Sequence, residues 1–273
     1  FLPRIWRQKK SILIVRPCFS EYERAFRLAG IPIHEWILPP ETSFAIDADA
    51  FLHKLDPIDN LGGIVIGHPN NPTGSLCNED SLHRLLAYCE MKGIYLVVDE
   101  TFIEFSGWEH SLVKRVEQSK HLILVQSLTK FYALPGLRLG YGITSPDIAD
   151  RIRAFRPPWS VNSLAQKIGA AVLQDSEYKK RSRDYIEQER SRLYNKLSAI
   201  PSIEVFPSRA NFLLFRLRVN NKASQLYQNL LRDGLLVRNC GNFRGLDSGY
   251  FRIAINKAAD NELLISRLEQ HLL

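Results

Sequence analysis

Four short apolar runs constrain this chain more than any other feature. "SILIV" at 11–15, "GIVI" at 63–66, "IYLVVD" at 94–99 and "HLILVQ" at 121–126 are β-rich and nearly continuous in apolar residues. A strand with one wet face alternates polar and apolar positions, so runs of this kind belong to strands buried on both faces. Helical periods lie between them. In "NEDSLHRLLAYCEMKG", Leu82, Leu85, Leu86 and Cys89 recur at i, i+3, i+4 and i+7, with Asn78 placed to cap the start and Gly93 to stop the end. Strand and helix in alternation predict an α/β chain with a mostly parallel central sheet and helices packed on it.

The pattern changes downstream. Helical sequence dominates 146–200, including a long charged segment at 177–197, and then "NFLLFRL", "LLVR" and "YFRIAI" read as strands of a small C-terminal α+β domain. The expected division is a large domain over 1–176 and a linking helix with a small domain over 177–273. A length of 273 residues with 45% hydrophobic content suits that arrangement. No repeat or low-complexity segment interrupts it.

Composition removes several function classes. No apolar run is long enough to cross a bilayer, and "FLPRIWRQKK" lacks the apolar core and cleavage site of a signal peptide, so a soluble protein is expected. Cys18, Cys77, Cys89 and Cys240 lie far apart without a C-x-x-C, which argues against zinc or a disulfide framework and for a reducing cytoplasm. The net charge is +7, yet the basic residues are interleaved with acids, as in "YKKRSRDYIEQERSRLYNK", the signature of a solvated helix face. With no basic stripe, neither nucleic acid nor membrane is expected as a partner. An anionic small molecule fits the charge as well.

Ligands of open parallel sheets bind at strand ends. Asn71 stands before Pro72 in "GHPNNPTG", after the second run. Asp99 ends the third, and Ser127, Thr129 and Lys130 follow the fourth in "QSLTKFYALPGLRLGYG", with Arg138 behind them. Taken singly these are ordinary: Asn-Pro-Thr-Gly makes turns and a strand-end Asp caps helices. A lysine at the edge of a core is different, because its ammonium must reach water, an anion or a covalent partner. As a set, the residues match the needs of pyridoxal phosphate. Lys130 can form a Schiff base with the aldehyde, provided desolvation and a cation such as Arg138 keep it deprotonated. Asp99 can pair with the pyridine nitrogen, and Asn71 can donate to the phenolate oxygen. Ser127 and Arg138 can hold the phosphate, the arginine by a charge-assisted fork. Phe19, in "RPCFSEY", either stacks on the ring or packs in the core.

"NNPTG", "VVDE" and "SLTKFYALPGLRLGYG" resemble the fold-type I pyridoxal-phosphate enzymes of the aspartate aminotransferase superfamily, over nearly the whole chain. That resemblance implies the PLP-dependent transferase fold, a homodimer whose second subunit completes the site, and a phosphate-binding loop and N-terminal arm expected before Phe1. Within the superfamily, "DETFIEF", "PPWSVNSLAQ", "LQDSEY", "SRANFLLFR" and "GLDSGYFRIAI" resemble the threonine-phosphate decarboxylase family, with histidinol-phosphate aminotransferases as near relatives.

Three residues after the aspartate, the aminotransferases typically carry a tyrosine whose hydroxyl reaches the phenolate oxygen. This chain has Phe102, which cannot donate that bond. The resemblance also places anion-binding arginines at Arg238 and Arg252, for a small anionic amino-acid phosphate. Alternation puts Arg252 on the face opposite Phe251 and Ile253. Two rivals follow: an aminotransferase, and, more remotely, the effector-binding half of a transcription regulator.

Overall fold

The computed structural model describes residues 2–6 and 10–272. Six strands form the larger sheet: β1 (Ser11–Arg16), β2 (Ile33–Ile37), β3 (Leu61–Gly67), β4 (Tyr95–Asp99), β5 (Leu122–Ser127) and β6 (Gly140–Thr144). Their order is β2-β1-β3-β4-β5-β6, with every pair parallel except β5 with β6. The helices α1 (Ser20–Leu28), α2 (Ala48–Leu55), α3 (Glu79–Lys92), α4 (Leu128–Phe131), α5 (Pro146–Arg153) and α6 (Ser163–Val172) accompany it.

Period two explains why the apolar runs are continuous. Leu13, Val15, Ile64, Ile66, Leu96, Val98, Leu122 and Leu124 pack on one side with Phe51 of α2 and Leu82 and Leu85 of α3. The alternate residues Ile12, Ile14, Val65, Val97 and Ile123 pack on the other with Phe26 of α1 and Ile148 of α5. Each face is covered, so neither set is free to be polar. α3 begins and ends where expected: Asn78 accepts from the Ser81 N–H at 2.7 Å, and Gly93 adopts φ 65°.

α7 (Ser176–Ser198) leads to the second sheet, β7 (Ile203–Val205), β8 (Phe212–Leu217), β9 (Arg238–Asn239) and β10 (Tyr250–Ala254), antiparallel in the order β7-β8-β10-β9. α8 (Ala223–Arg232) and α9 (Ala258–Leu272) cover one face over Leu213, Phe215, Phe251 and Ile253. Phe212, Leu214, Tyr250 and Arg252 point the other way, toward the large sheet.

Sequence reading overlooked β2, β6 and β7. β2 is a partly exposed edge strand with His34 and Glu35 in it, and β7 is only 3 residues long, so neither shows an apolar run. "LLVR" was expected as a strand, but pairing with β10 reaches only Arg238 and Asn239. No helix among the described residues is long and apolar enough to cross a membrane.

Candidate active site

Every residue read from the sequence as a candidate for cofactor or substrate lines one cavity of about 800 Å³ between the carboxyl ends of the parallel strands and the second sheet. Lys130 sits on the single turn α4 directly after β5. Ser127 caps that turn, its hydroxyl 2.8 Å from Thr129 Oγ1 and accepting from the Thr129 N–H at 3.3 Å. Leu128, Thr129, Phe131 and Tyr132 are buried, which leaves Lys130 as the member of the turn turned outward. From α7, Tyr178 donates to the Phe131 carbonyl at 2.8 Å and braces the turn from below. The Lys130 ammonium has no hydrogen-bond or ionic partner among the described residues.

Asp99 closes β4, with Gly67 and Val125 as its neighbours on β3 and β5. Both carboxylate oxygens are engaged: Oδ1 accepts from the Thr101 N–H at 2.9 Å and Oδ2 from the Tyr22 hydroxyl at 2.5 Å. Burial and the Asp99 charge push the Tyr22 phenol well above its ordinary range, so it stays a donor. The next residue, Glu100, is fully buried. Its carboxyl accepts from Ser111 Oγ at 2.7 Å, Leu112 N–H at 2.9 Å and Gln126 Nε2 at 2.7 Å, yet burial raises it to about 7.

The Asn71 turn is pinned by its neighbour as well as by proline. Asn70 Nδ2 donates to the Pro17 carbonyl and to Thr73 Oγ1, each at 2.9 Å, and Gly74 closes the turn at φ 73°. Asn71 then offers Oδ1 to the Arg252 guanidinium, 181 residues away in sequence. Arg252 also lies 5.1 Å above the Phe212 ring. Burial chiefly, with the Arg238 charge, pulls its pKa below the usual arginine range. Arg252 and Arg238 are register partners across β10 and β9. Asn242 accepts from Arg238 at 2.8 Å, and Phe243 lies under it at 5.5 Å.

Arg138 is not at the carboxyl end of a strand. It precedes β6, and because β6 runs antiparallel its first residues lie beside the last residues of β5. The residue takes φ 49° and donates to the Pro135 carbonyl at 3.0 Å. Phe19 is 41% exposed on the cavity wall, so plain core packing does not describe it. Phe102 is buried at its base, edge-on to Phe212 at 5.1 Å.

Sequence reasoning missed Tyr22, Asn70 and the cavity-lining Tyr227 and Asn211. Only Tyr22 left a signal. It stands three positions after Phe19 at the start of a helix, the spacing that puts two side chains on one face.

The aminotransferase class I and II model matches residues 1–268. This chain belongs to that family. It is 40% identical over 264 residues to the threonine-phosphate decarboxylase of Salmonella typhimurium, a match covering 96% of this chain and 71% of that protein. The crystal structure of the histidinol-phosphate aminotransferase from Clostridium acetobutylicum superimposes with a TM-score of 0.89 at 34% identity, covering 96% of this chain and 77% of that one. The L-threonine-O-3-phosphate decarboxylase from Porphyromonas gingivalis gives 0.82 at 29% identity, again covering 96% and 77%. The expected fold, a mostly parallel sheet with flanking helices and a small C-terminal α+β part, is therefore the fold of this family. Its members are pyridoxal-phosphate-dependent enzymes.

Proposed function

We propose that this chain is a pyridoxal-phosphate-dependent lyase that decarboxylates O-phospho-L-threonine to 1-aminopropan-2-ol phosphate for cobalamin biosynthesis. One observation carries the reading: a lysine without a hydrogen-bond or ionic partner among the described residues and a strand-end carboxylate line one cavity with two arginines that are cross-strand neighbours. Like charges opposite each other on a sheet are unfavourable unless something anionic lies between them. A substrate with both a carboxylate and a phosphate supplies two such anions. The 40% identity to the Salmonella typhimurium decarboxylase supports the same assignment.

The donor set fits the cofactor. Lys130 is the amine for its aldehyde, Asp99 the carboxylate for its ring nitrogen, and Asn71 the amide for its phenolate oxygen. Ser127 and Arg138 would hold its phosphate, Phe19 would cover its face and Phe102 its edge. When bound, pyridoxal phosphate supplies an electrophilic carbon and a ring able to accept the electron pair of a bond broken at the substrate Cα.

The chain's own residues decide which bond that is. Arg252 would take the substrate carboxylate and Arg238 its phosphate, so the angle at which Arg252 holds the carboxylate selects between loss of carbon dioxide and loss of the Cα proton. Lys130, on the turn that follows β5, would be the acid that returns a proton to the substrate Cα. Phe102 contributes no donor at the phenolate side, where a tyrosine would add one.

The high superposition with the Clostridium acetobutylicum aminotransferase favours transamination as the second reading. The two are separated by incubating the full-length protein with pyridoxal phosphate, O-phospho-L-threonine and 2-oxoglutarate. Carbon dioxide release is expected; 2-oxo acid formation without carbon dioxide rejects the decarboxylase. We also propose a cytoplasmic homodimer, divided into parts 1–176 and 177–273, with sedimentation equilibrium as the test of the dimer.

A further inference from the structure

We infer that Tyr22 is a positioning residue for the ring nitrogen of the cofactor, acting through the hydrogen bond from its hydroxyl to Asp99 Oδ2. The inference rests on the cofactor reading above and adds a residue to it.

Rotation of a carboxylate about its last torsion has a broad, roughly two-fold profile, so one anchor does not fix it. In Asp99 the Thr101 N–H holds Oδ1 at 2.9 Å and the Tyr22 hydroxyl holds Oδ2 at 2.5 Å. An ionised carboxylate offers about four lone-pair sites. Two are used, and those left over belong to a group that lines the cavity beside Tyr22 itself. Because its own ionisation is suppressed, the hydroxyl acts as a permanent donor. No other hydroxyl among the described residues bonds to this carboxylate.

Tyr22→Phe removes the hydroxyl and keeps the ring, so the edge contact with Phe19 at 5.9 Å is retained. The measurement is pyridoxal phosphate affinity of the apo-protein by tryptophan quenching, with the pH midpoint of the bound cofactor's absorption. The variant is expected to bind about tenfold more weakly, the loss of one charge-assisted hydrogen bond, and to shift that midpoint. In an Asp99→Asn background the same change is expected to have no further effect. An unchanged affinity and midpoint overturns the inference. So does an equal loss in the Asp99→Asn background, which would assign the effect to packing. Borohydride trapping of the unaltered protein keeps the two levels apart: labelled Lys130 with an indifferent Tyr22→Phe overturns Tyr22 alone, whereas unlabelled Lys130 overturns the cofactor reading and this inference together.

Discussion

The two sheets deliver polar groups to one cavity by different means. The parallel sheet spends its strands mainly on burial and offers this chemistry where they stop, so Asn71, Asp99 and Lys130 each sit on a turn or strand terminus that follows a nearly continuous apolar run. The antiparallel sheet has one face on its helices and the other toward the cavity, so it offers side chains from within strands, as Arg252 does between buried Phe251 and Ile253. The lesson is a division of labour set by strand geometry. Strand ends place reactive groups with the precision of a capped turn, while an alternating strand places binding groups at a fixed register.

That contrast is breakable in order of effect. Lys130→Ala, at a strand end, is expected to lower kcat by at least about 10³-fold and to abolish borohydride labelling; a residual rate within tenfold would remove chemistry from that sheet. Asp99→Asn should cost about 10²- to 10³-fold in kcat with little change in KM, measured by steady-state kinetics. In the second sheet, Arg252→Ala should raise KM by about 10- to 100-fold, as befits loss of a charged hydrogen bond, and lower the share of turnovers that release carbon dioxide, while Lys130 stays labelled. A kcat-only effect there would erase the distinction between reacting and binding sheets.

The fourth test concerns stability beside Asp99. Glu100 has a folded-state pKa raised from 4.5 to about 7 by burial, so the folded protein binds the proton more tightly than the unfolded chain. Its stabilising contribution is complete below pH 4.5 and is lost as pH rises through about 7. Denaturant melts of the parent minus Glu100→Gln should therefore fall across that window, by a total on the order of 3 kcal/mol. The smallest effect is that of Phe102→Tyr. Restoring a donor at the phenolate side should change kcat by about two- to tenfold and move the absorption midpoint of the bound cofactor; no movement in either would make Phe102 a packing residue against Phe212.

Much of this was legible in the chain. The runs at 63–66, 94–99 and 121–126 announced β3, β4 and β5, because strands covered on both faces cannot disguise themselves with polar alternation. α3 was readable to its caps, since Asn78 and Gly93 act through local backbone geometry. β2 was not, because an edge strand that keeps a wet side carries Glu35 and His34 and looks like loop. Arg138, expected at the carboxyl end of a strand, instead lies just before the antiparallel β6, and strand direction has no local sequence signature.

The residue types at the site, a lysine, an aspartate, an amide and arginines beside apolar runs, were determined by the sequence alone, since burial rules make such residues conspicuous wherever they fall. Their meeting was decided only by the tertiary structure. Tyr22 and Asp99 are 77 residues apart and Arg252 and Asn71 are 181 apart, yet each pair is hydrogen-bonded. Sheet order and cross-strand register, set by which faces exclude water across the whole chain, bring them within reach, and no single segment encodes either.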